Sequence, residues 1–402
     1  VSLLAPLAPY RGVLALPHVR SLVAVTSLAR IPSTAVSVVL TLHVVLTLHG
    51  GFAAAGALAA ALTIGGALGA PLLGRITDRH GLRRTLVLTA AAQGAFWLLA
   101  PLLPFPVLLP AAFLGGLLPL PLFSVSRQSL AALVPEDRRR TAYSLDSMSV
   151  EVSFAVGPAM GVLVATQLST RVALVAVGVS MLLSGLVLYL LNPPIRSEAE
   201  TAVAEGEGRP ARRTWLRDRL VAVLVVSTGA ALVLSGTDVS IVATLRHSGE
   251  LAWSGLVIAA WCIWSLLGGF VHGLLPRAVP TVALAALLCI LTVPVGLAGH
   301  WWVLALALLP AGFLCAPTIA STGELVSRSV PAAVRGEALG MQASAFTAGM
   351  SVGAPLAGAV VDRLGPAFGF AAVGVGGAIL LLASRAVVPL ARASTRFADL
   401  LG

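Results

Sequence analysis

The chain has 402 residues, of which 58% are hydrophobic and only 10% charged, against about 25% charged residues in a soluble domain; an ordinary water-soluble globule is excluded. The net charge of +10 is carried by Arg without a single Lys, and no basic stripe interleaved with aromatics occurs, so a nucleic-acid partner is excluded as well. Cys262, Cys289 and Cys315 lie in apolar runs with no second Cys or His at ligand spacing. They are expected to be small core residues, with no metal and no cofactor.

Apolar runs of about 20 residues recur from end to end, each long enough to cross a bilayer. Twelve spans are expected, at residues 21–46, 53–74, 85–104, 106–130, 141–165, 171–191, 220–245, 251–275, 280–298, 301–326, 337–360 and 366–388. No basic region followed by a short apolar core and a small-residue cleavage site precedes span 1, so span 1 itself is expected to direct insertion. Arg30, Ser33, Thr34, Ser37 and Thr41 form a polar stripe along it. Lipid would not keep such a stripe, which is therefore expected to face a cavity. His43 in the same span and His272 in span 8 are expected to be packed histidines.

Span 4 is interrupted by Gly116, Pro119 and Pro121, and span 10 at matching places by Gly312 and Pro317; matched breaks in two halves of a transporter mark a binding or gating region. Span 5 carries Asp146 and Glu151, with Ser149, Ser153 and Gly157 continuing the face of Asp146. Span 7 carries Thr228, Ser235 and Asp238 as a second stripe, and Gln342 in span 11 is the counterpart of Asp146. Pairs Gly65/Gly69, Gly157/Gly161, Gly269/Gly273 and Gly349/Gly353 on spans 2, 5, 8 and 11 are expected to pack across the interface between halves. Trp301 and Trp302 suit an interfacial belt.

Residues 192–219, with Pro193, Pro194, four Glu and many Arg, are expected to be a cytoplasmic linker between a six-helix half at 1–191 and another at 220–402. Shifting the chain by 196 residues lays Gly116 on Gly312, Pro121 on Pro317, Arg139 on Arg335 and Val156-Gly157 on Val352-Gly353. The fold class is thus an all-α membrane protein of twelve helices in two repeated halves. Apart from Arg30 within span 1, only Arg171, Arg246 and Arg363 fall on the side opposite the termini. The positive-inside rule then puts both termini in the cytoplasm.

After span 2 comes Gly74-Arg75-Ile76-Thr77-Asp78-Arg79-His80-Gly81-Leu82-Arg83-Arg84. It resembles the signature loop of the major facilitator superfamily, with Ile76 and Leu82 as departures. Gly74 and Gly81 would allow a tight turn, while Arg79 and Arg83 would hold the loop at an anionic membrane face. The resemblance implies that Asp78 stabilises one transport conformation by meeting the start of helix eleven, near Arg335-Gly336-Glu337. Val361-Asp362-Arg363-Leu364-Gly365 looks like a second copy on the wrong side. Gly157-Pro158-Ala159-Met160-Gly161 resembles the antiporter motif of drug exporters in that superfamily, with Ser153 and Val162 in place of its Gly, and around Phe113, Gly115 and Gly116 span 4 lacks the Arg those exporters carry. Leu28-Ala29-Arg30-Ile31-Pro32, Leu145-Asp146 and Val150-Glu151-Val152 resemble an actinobacterial branch.

A charge at a helix centre costs about 2.5–3.5 kcal/mol on insertion scales, so Arg30 and Glu151, at similar depth and of opposite sign, are expected to pair. Asp146 is expected to exchange protons. The expected function is alternating-access transport of a small apolar or amphipathic molecule in the bacterial plasma membrane, by a monomer, as proton-coupled export; import on the same scaffold and a non-transporting receptor or assembly role stay open. No nucleophile, metal cluster or phosphate loop suggests an enzyme.

Overall fold

In lipid an unpaired backbone N–H or C=O costs several kcal/mol, so apolar runs of this length close their hydrogen bonds within themselves as helices. The computed structural model describes residues 7–207 and 209–399, and among them every regular element is a helix. Ten spans are single apolar stretches: Val19–Thr47, Ala53–His80, Leu82–Leu102, Phe105–Leu133, Glu136–Gln167, Thr170–Leu191, Asp218–His247, Leu251–Leu274, Ala332–Leu364 and Pro366–Arg385. The other two expected spans are the shorter apolar helix Thr281–Leu297 and the pair Trp301–Ala307 and Leu309–Ser329, bent by 43°. These are spans 1 to 12 in chain order, with Thr281–Leu297 as span 9 and the bent pair as span 10.

Local chemistry sets several boundaries. Gly81 adopts φ 84° and stops span 2, a conformation open to glycine because it lacks Cβ. Ser169 accepts a hydrogen bond from the Val172 N–H at 3.1 Å and caps the start of span 6, satisfying one of its orphan donors. Asn192, in the left-handed region, ends that span.

Gly74 is not a turn residue, as was expected, because the helix of span 2 continues to His80. Its task is close approach: a Cβ at Gly74 would lie 2.1 Å from the Gly336 carbonyl oxygen. The expected match between proline breaks also changes. Span 4 is interrupted from Leu118 to Pro121, between helices Phe105–Leu117 and Leu122–Leu133. Span 10 runs helical through Pro317 and bends at Leu308 instead.

Each proline withholds the N–H that the carbonyl four residues earlier needs, and neighbouring spans answer several of those carbonyls. Gln93 Nε2 donates to Gly115 O at 2.6 Å, the carbonyl left by Pro119, and to Leu118 O at 3.0 Å. Trp97 Nε1 holds the Gln93 amide from behind at 2.9 Å. Ser344 Oγ donates to Ala67 O, left by Pro71. Glycines lie against two further freed carbonyls: a Cβ on Gly69 would sit 2.0 Å from Leu117 O, and one on Gly268 would sit 1.7 Å from Phe313 O. Leu117 and Phe313 precede Pro121 and Pro317 by the same four residues and are 196 apart, so the repeat seen in sequence is a repeated packing device.

Three of the four glycine pairs do not pack as expected. Gly65 and Gly69 meet span 4, Gly157 and Gly161 meet span 1 at Ile31, Thr34, Ala35 and Val39, and Gly349 and Gly353 meet span 7 at Thr228 and Leu232. Close approach at each of these three pairs therefore joins spans inside one six-helix set, whereas Gly74 joins span 2 to span 11. Gly269 differs, lying against Met148 of span 5 and Ala316 of span 10.

The chain separates into two compact units. The first holds residues up to Ala142, Ser149–Arg209 and Ala332–Ser344; the second holds Tyr143–Met148, Pro210–Pro331 and residues from Ala345 on. Trp97, Leu40, Leu58, Leu108 and Leu174 centre the apolar core of the first, and Trp261, Val233, Leu288, Leu304 and Phe370 that of the second.

Candidate functional site

Spans 1 and 5 lie together in the first unit along a polar seam. Arg30 Nη1 donates to Ser149 Oγ at 2.5 Å, and Thr34 Oγ1 donates to Ser153 O at 2.7 Å. Both contacts join residues 119 apart, so the spans run parallel in one register. Gly157 makes this possible, since a Cβ there would lie 2.0 Å from Thr34 Oγ1 and 2.4 Å from Ile31 O; Pro158 follows it inside the helix. Arg30 begins its fourth turn about 17 Å from the start of its helix at 1.5 Å per residue. Arg30, Asp146 and Glu151 are 5%, 2% and 7% exposed. Asp146 is therefore as deeply enclosed as the other two, and belongs to the second unit.

The rest of the span 1 stripe divides. Ser33 Oγ and Thr41 Oγ1 donate back to Arg30 O and Ser37 O at 2.7 and 2.9 Å, while Ser37 is exposed. Ser33 also borders a cavity of about 140 Å³ with Gly66, Gln93, Trp97, Gly116 and Pro119, beside the break in span 4. Pro121 starts the helix beyond that break and is buried. On span 7, Thr228 and Ser235 bond the carbonyls of Ala345 and Met350 in span 11 at 3.1 and 2.8 Å, so these hydroxyls join helices. Asp238 alone of that stripe opens on a cleft of about 990 Å³, shared with Arg246, His247 and Asp362. Pro317 is buried within span 10.

At the Arg-rich end of the first unit, the last turns of span 2 meet the first turns of span 11. Asp78, 8% exposed, accepts hydrogen bonds from Gly336 N at 3.0 Å through Oδ1 and from Glu337 N at 2.9 Å through Oδ2. Those N–H groups are orphan donors at a helix N-terminus, where the positive end of the helix dipole also favours a carboxylate. The seam continues upward with Gly340, whose added Cβ would lie 2.3 Å from Ala70 O. Arg79 is exposed, and Gly81 provides the turn. Arg83 sits 5.3 Å over the Tyr189 ring and donates from Nε to Tyr189 O at 3.4 Å.

Arg127, near the end of the expected span 4, lies in the helix Leu122–Leu133 at 0% exposure, its guanidinium 3.9 Å over the Phe123 ring. Its Nη1 is 3.4 Å from Gln342 Oε1, itself 2% exposed. Span 4 thus does carry a buried Arg, beyond its break. The signal was the polar run Ser124-Val125-Ser126-Arg127-Gln128-Ser129, too long to be the end of a lipid-facing helix. Gln93, which repairs span 4, gave no comparable signal.

Apolar spans in two sets, buried charges within them and a carboxylate gripping a helix start define a polytopic helical transport protein. Residues 22–293 match the family model of the Major Facilitator Superfamily, and the chain belongs to that superfamily. Among solved structures it is similar to a bacterial homologue of the iron transporter ferroportin in its outward-facing state, at TM-score 0.70 and 17% identity over 94% of this chain and 100% of that one. It is also similar to the human organic anion transporter MFSD10 (TETRAN), at TM-score 0.68 and 17% identity over 92% and 99%. For the proton:xylose symporter XylE the figures are 0.65 and 16% over 92% and 96%. At these identities the likeness is one of fold.

Proposed function

We propose that the chain is a secondary transporter that exports a small apolar or amphipathic molecule in exchange for protons, by alternating access of the halves 1–191 and 220–402 joined by residues 192–219. The observation that carries this reading is the enclosure of Arg30, Asp146 and Glu151 within membrane spans. Charges in such places are expensive and mark ion or substrate pathways. Arg30 and Glu151 form the fixed pair, and Asp146 takes up and releases the coupling proton. Ser33, Thr34, Ser37, Thr41, Asp238 and Gln342 border the substrate path, while Asp78 closes its Arg-rich end. That end is cytoplasmic by the positive-inside rule, with both termini inside and the protein monomeric in a bacterial plasma membrane. The resemblance of Gly157-Pro158-Ala159-Met160-Gly161 to an antiporter motif, and of spans 1 and 5 to an actinobacterial branch, supports export.

A panel of amphipathic compounds in inside-out vesicles, with a pH dye, tests this directly. Substrate should enter such vesicles as protons leave, and Asp146→Asn should keep yield while abolishing the pH dependence. Proton movement in the same direction as substrate would replace exchange by symport. An unaltered pH profile in Asp146→Asn would remove its proton role.

A further inference from the structure

The segment between the halves does more than connect them. Ser197 N donates to Glu200 Oε2 at 2.9 Å and Glu200 N donates to Ser197 Oγ at 3.2 Å, a reciprocal capping box that starts the helix Glu198–Glu207. The same Glu200 carboxylate takes both arms of the Arg335 guanidinium, Nη2 to Oε1 at 2.5 Å and Nη1 to Oε2 at 3.2 Å. Bidentate, charge-assisted pairing of this kind fixes geometry as well as attraction. Further along, Arg209 pairs with Glu337, which is 1% exposed. Before the helix, Arg196 Nη2 donates to the main-chain oxygen of Asp78 at 2.7 Å, a carbonyl of the last turn of span 2 that the helix itself leaves unanswered.

These contacts converge on one place. Asp78 holds the Gly336 and Glu337 amides; the connecting segment holds the side chains on either side of Gly336, and its own root is tied to Asp78. A passive tether would keep its charges in water and specify none of these partners.

We propose that Arg196, Glu200 and Arg209 strap the connecting segment across the Arg-rich gate, with Glu200 and Arg209 as positioning residues that set how readily span 2 and the start of span 11 part during transport. The strap rests on the reading of Asp78 as the gate. Arg196 ties the strap to span 2 while Glu200 and Arg209 tie it to the start of span 11, so each opening of that end must release one set of these bonds together with the Asp78 grip, and reclosure re-forms them.

The test uses the full chain in lipid nanodiscs with a reporter thiol at Ser129→Cys, a site of 0% exposure in span 4 of the first unit, and a control thiol at Ser240→Cys, equally buried in the second. Glu200→Gln and Arg209→Gln should each raise the labelling rate at the reporter by roughly tenfold or more, given the strength of charge-assisted pairs, without moving the control. The exchanged pair Glu200→Arg with Arg335→Glu should return the rate toward that of the parent. A rise in Asp78→Asn with none in Glu200→Gln or Arg209→Gln would overturn the strap and leave the gate standing; no rise in any of the three would overturn both. Equal rises at reporter and control, or no recovery in the exchanged pair, would show general loosening and overturn the strap. Should Glu200→Gln fail to fold, Arg209→Gln and the exchanged pair carry the same decision.

Discussion

Replacing Gly74 by Ala adds one methyl group where two backbones touch. Its Cβ would lie 2.1 Å from Gly336 O, 2.5 Å from Gly336 C and 2.9 Å from Glu337 N, all main-chain atoms that cannot rotate aside. Restoring an ordinary contact of 3.4 Å requires the spans to part by roughly 1.3 Å. One turn further along the same face, the Asp78 bonds of 2.9 and 3.0 Å would stretch beyond 4 Å, which is no longer bonding distance. A hydrogen bond to a charged group contributes about 1.5–3 kcal/mol. Losing both removes at least about 3 kcal/mol, roughly a hundredfold in the ratio of closed to open gate at 1.4 kcal/mol per decade. Water entering the parted seam recovers some of this, so about tenfold is the expected minimum. Labelling of Ser129→Cys should speed up accordingly in Gly74→Ala. Gly66→Ala supplies the control on the same helix, because its Cβ would meet only Gly116 O at 3.7 Å. Unchanged labelling in Gly74→Ala, or an equal rise in Gly66→Ala, would refute the chain of reasoning from close approach to gate.

Arg30→Met alone and Glu151→Gln alone should each lower yield or transport, as unpairing a buried charge costs about 3–5 kcal/mol, and the double variant should regain yield; additive losses would dissolve the pair. Gln93→Leu strands Gly115 O, Leu118 O and Trp97 Nε1, each an unmet buried group at about 1–3 kcal/mol. Its thermal midpoint should fall clearly below that of Leu98→Ala, which removes only apolar contact, and parity between them would deny the clamp on span 4. Burial would raise the Glu200 carboxyl, but hydrogen bonds from Arg335 and Ser197 and the charges of Arg335 and Arg139 hold it below its ordinary value of 4.5. A lowered group stabilises the fold above its unfolded value and loses that contribution as pH falls through the folded one. The Glu200-dependent part of labelling at Ser129→Cys, read with an acid-active disulfide reagent as the difference from Glu200→Gln, should therefore rise only below about pH 4.5; a Glu200-dependent rise above that pH would contradict the ion pairs.

Composition and hydropathy alone determined that the chain lives in a bilayer and crosses it twelve times, because lipid leaves an apolar run of about 20 residues little choice but a helix. The charges inside spans 1 and 5 were legible because lipid tolerates them poorly, the Asp of the signature loop because its motif resembles a known one, and the repeat because residues match at a shift of 196. What a residue touches was not legible, since contact between helices depends on rotation and register that periodicity leaves free. Arg127 stood near the end of an expected span, and only the fold buried it over Phe123. Gly74 belonged to a turn by its motif and to a helix crossing by its position. Thr228 and Ser235 had the spacing of a cavity stripe, yet their hydroxyls answer carbonyls of span 11. The connecting segment, polar and rich in Pro and Arg, had the composition of a tether. Only the tertiary structure brought its Glu200 to Arg335, because a pair between residues 135 apart is made by two elements arriving at the same helix start, and nothing local in either segment records that meeting.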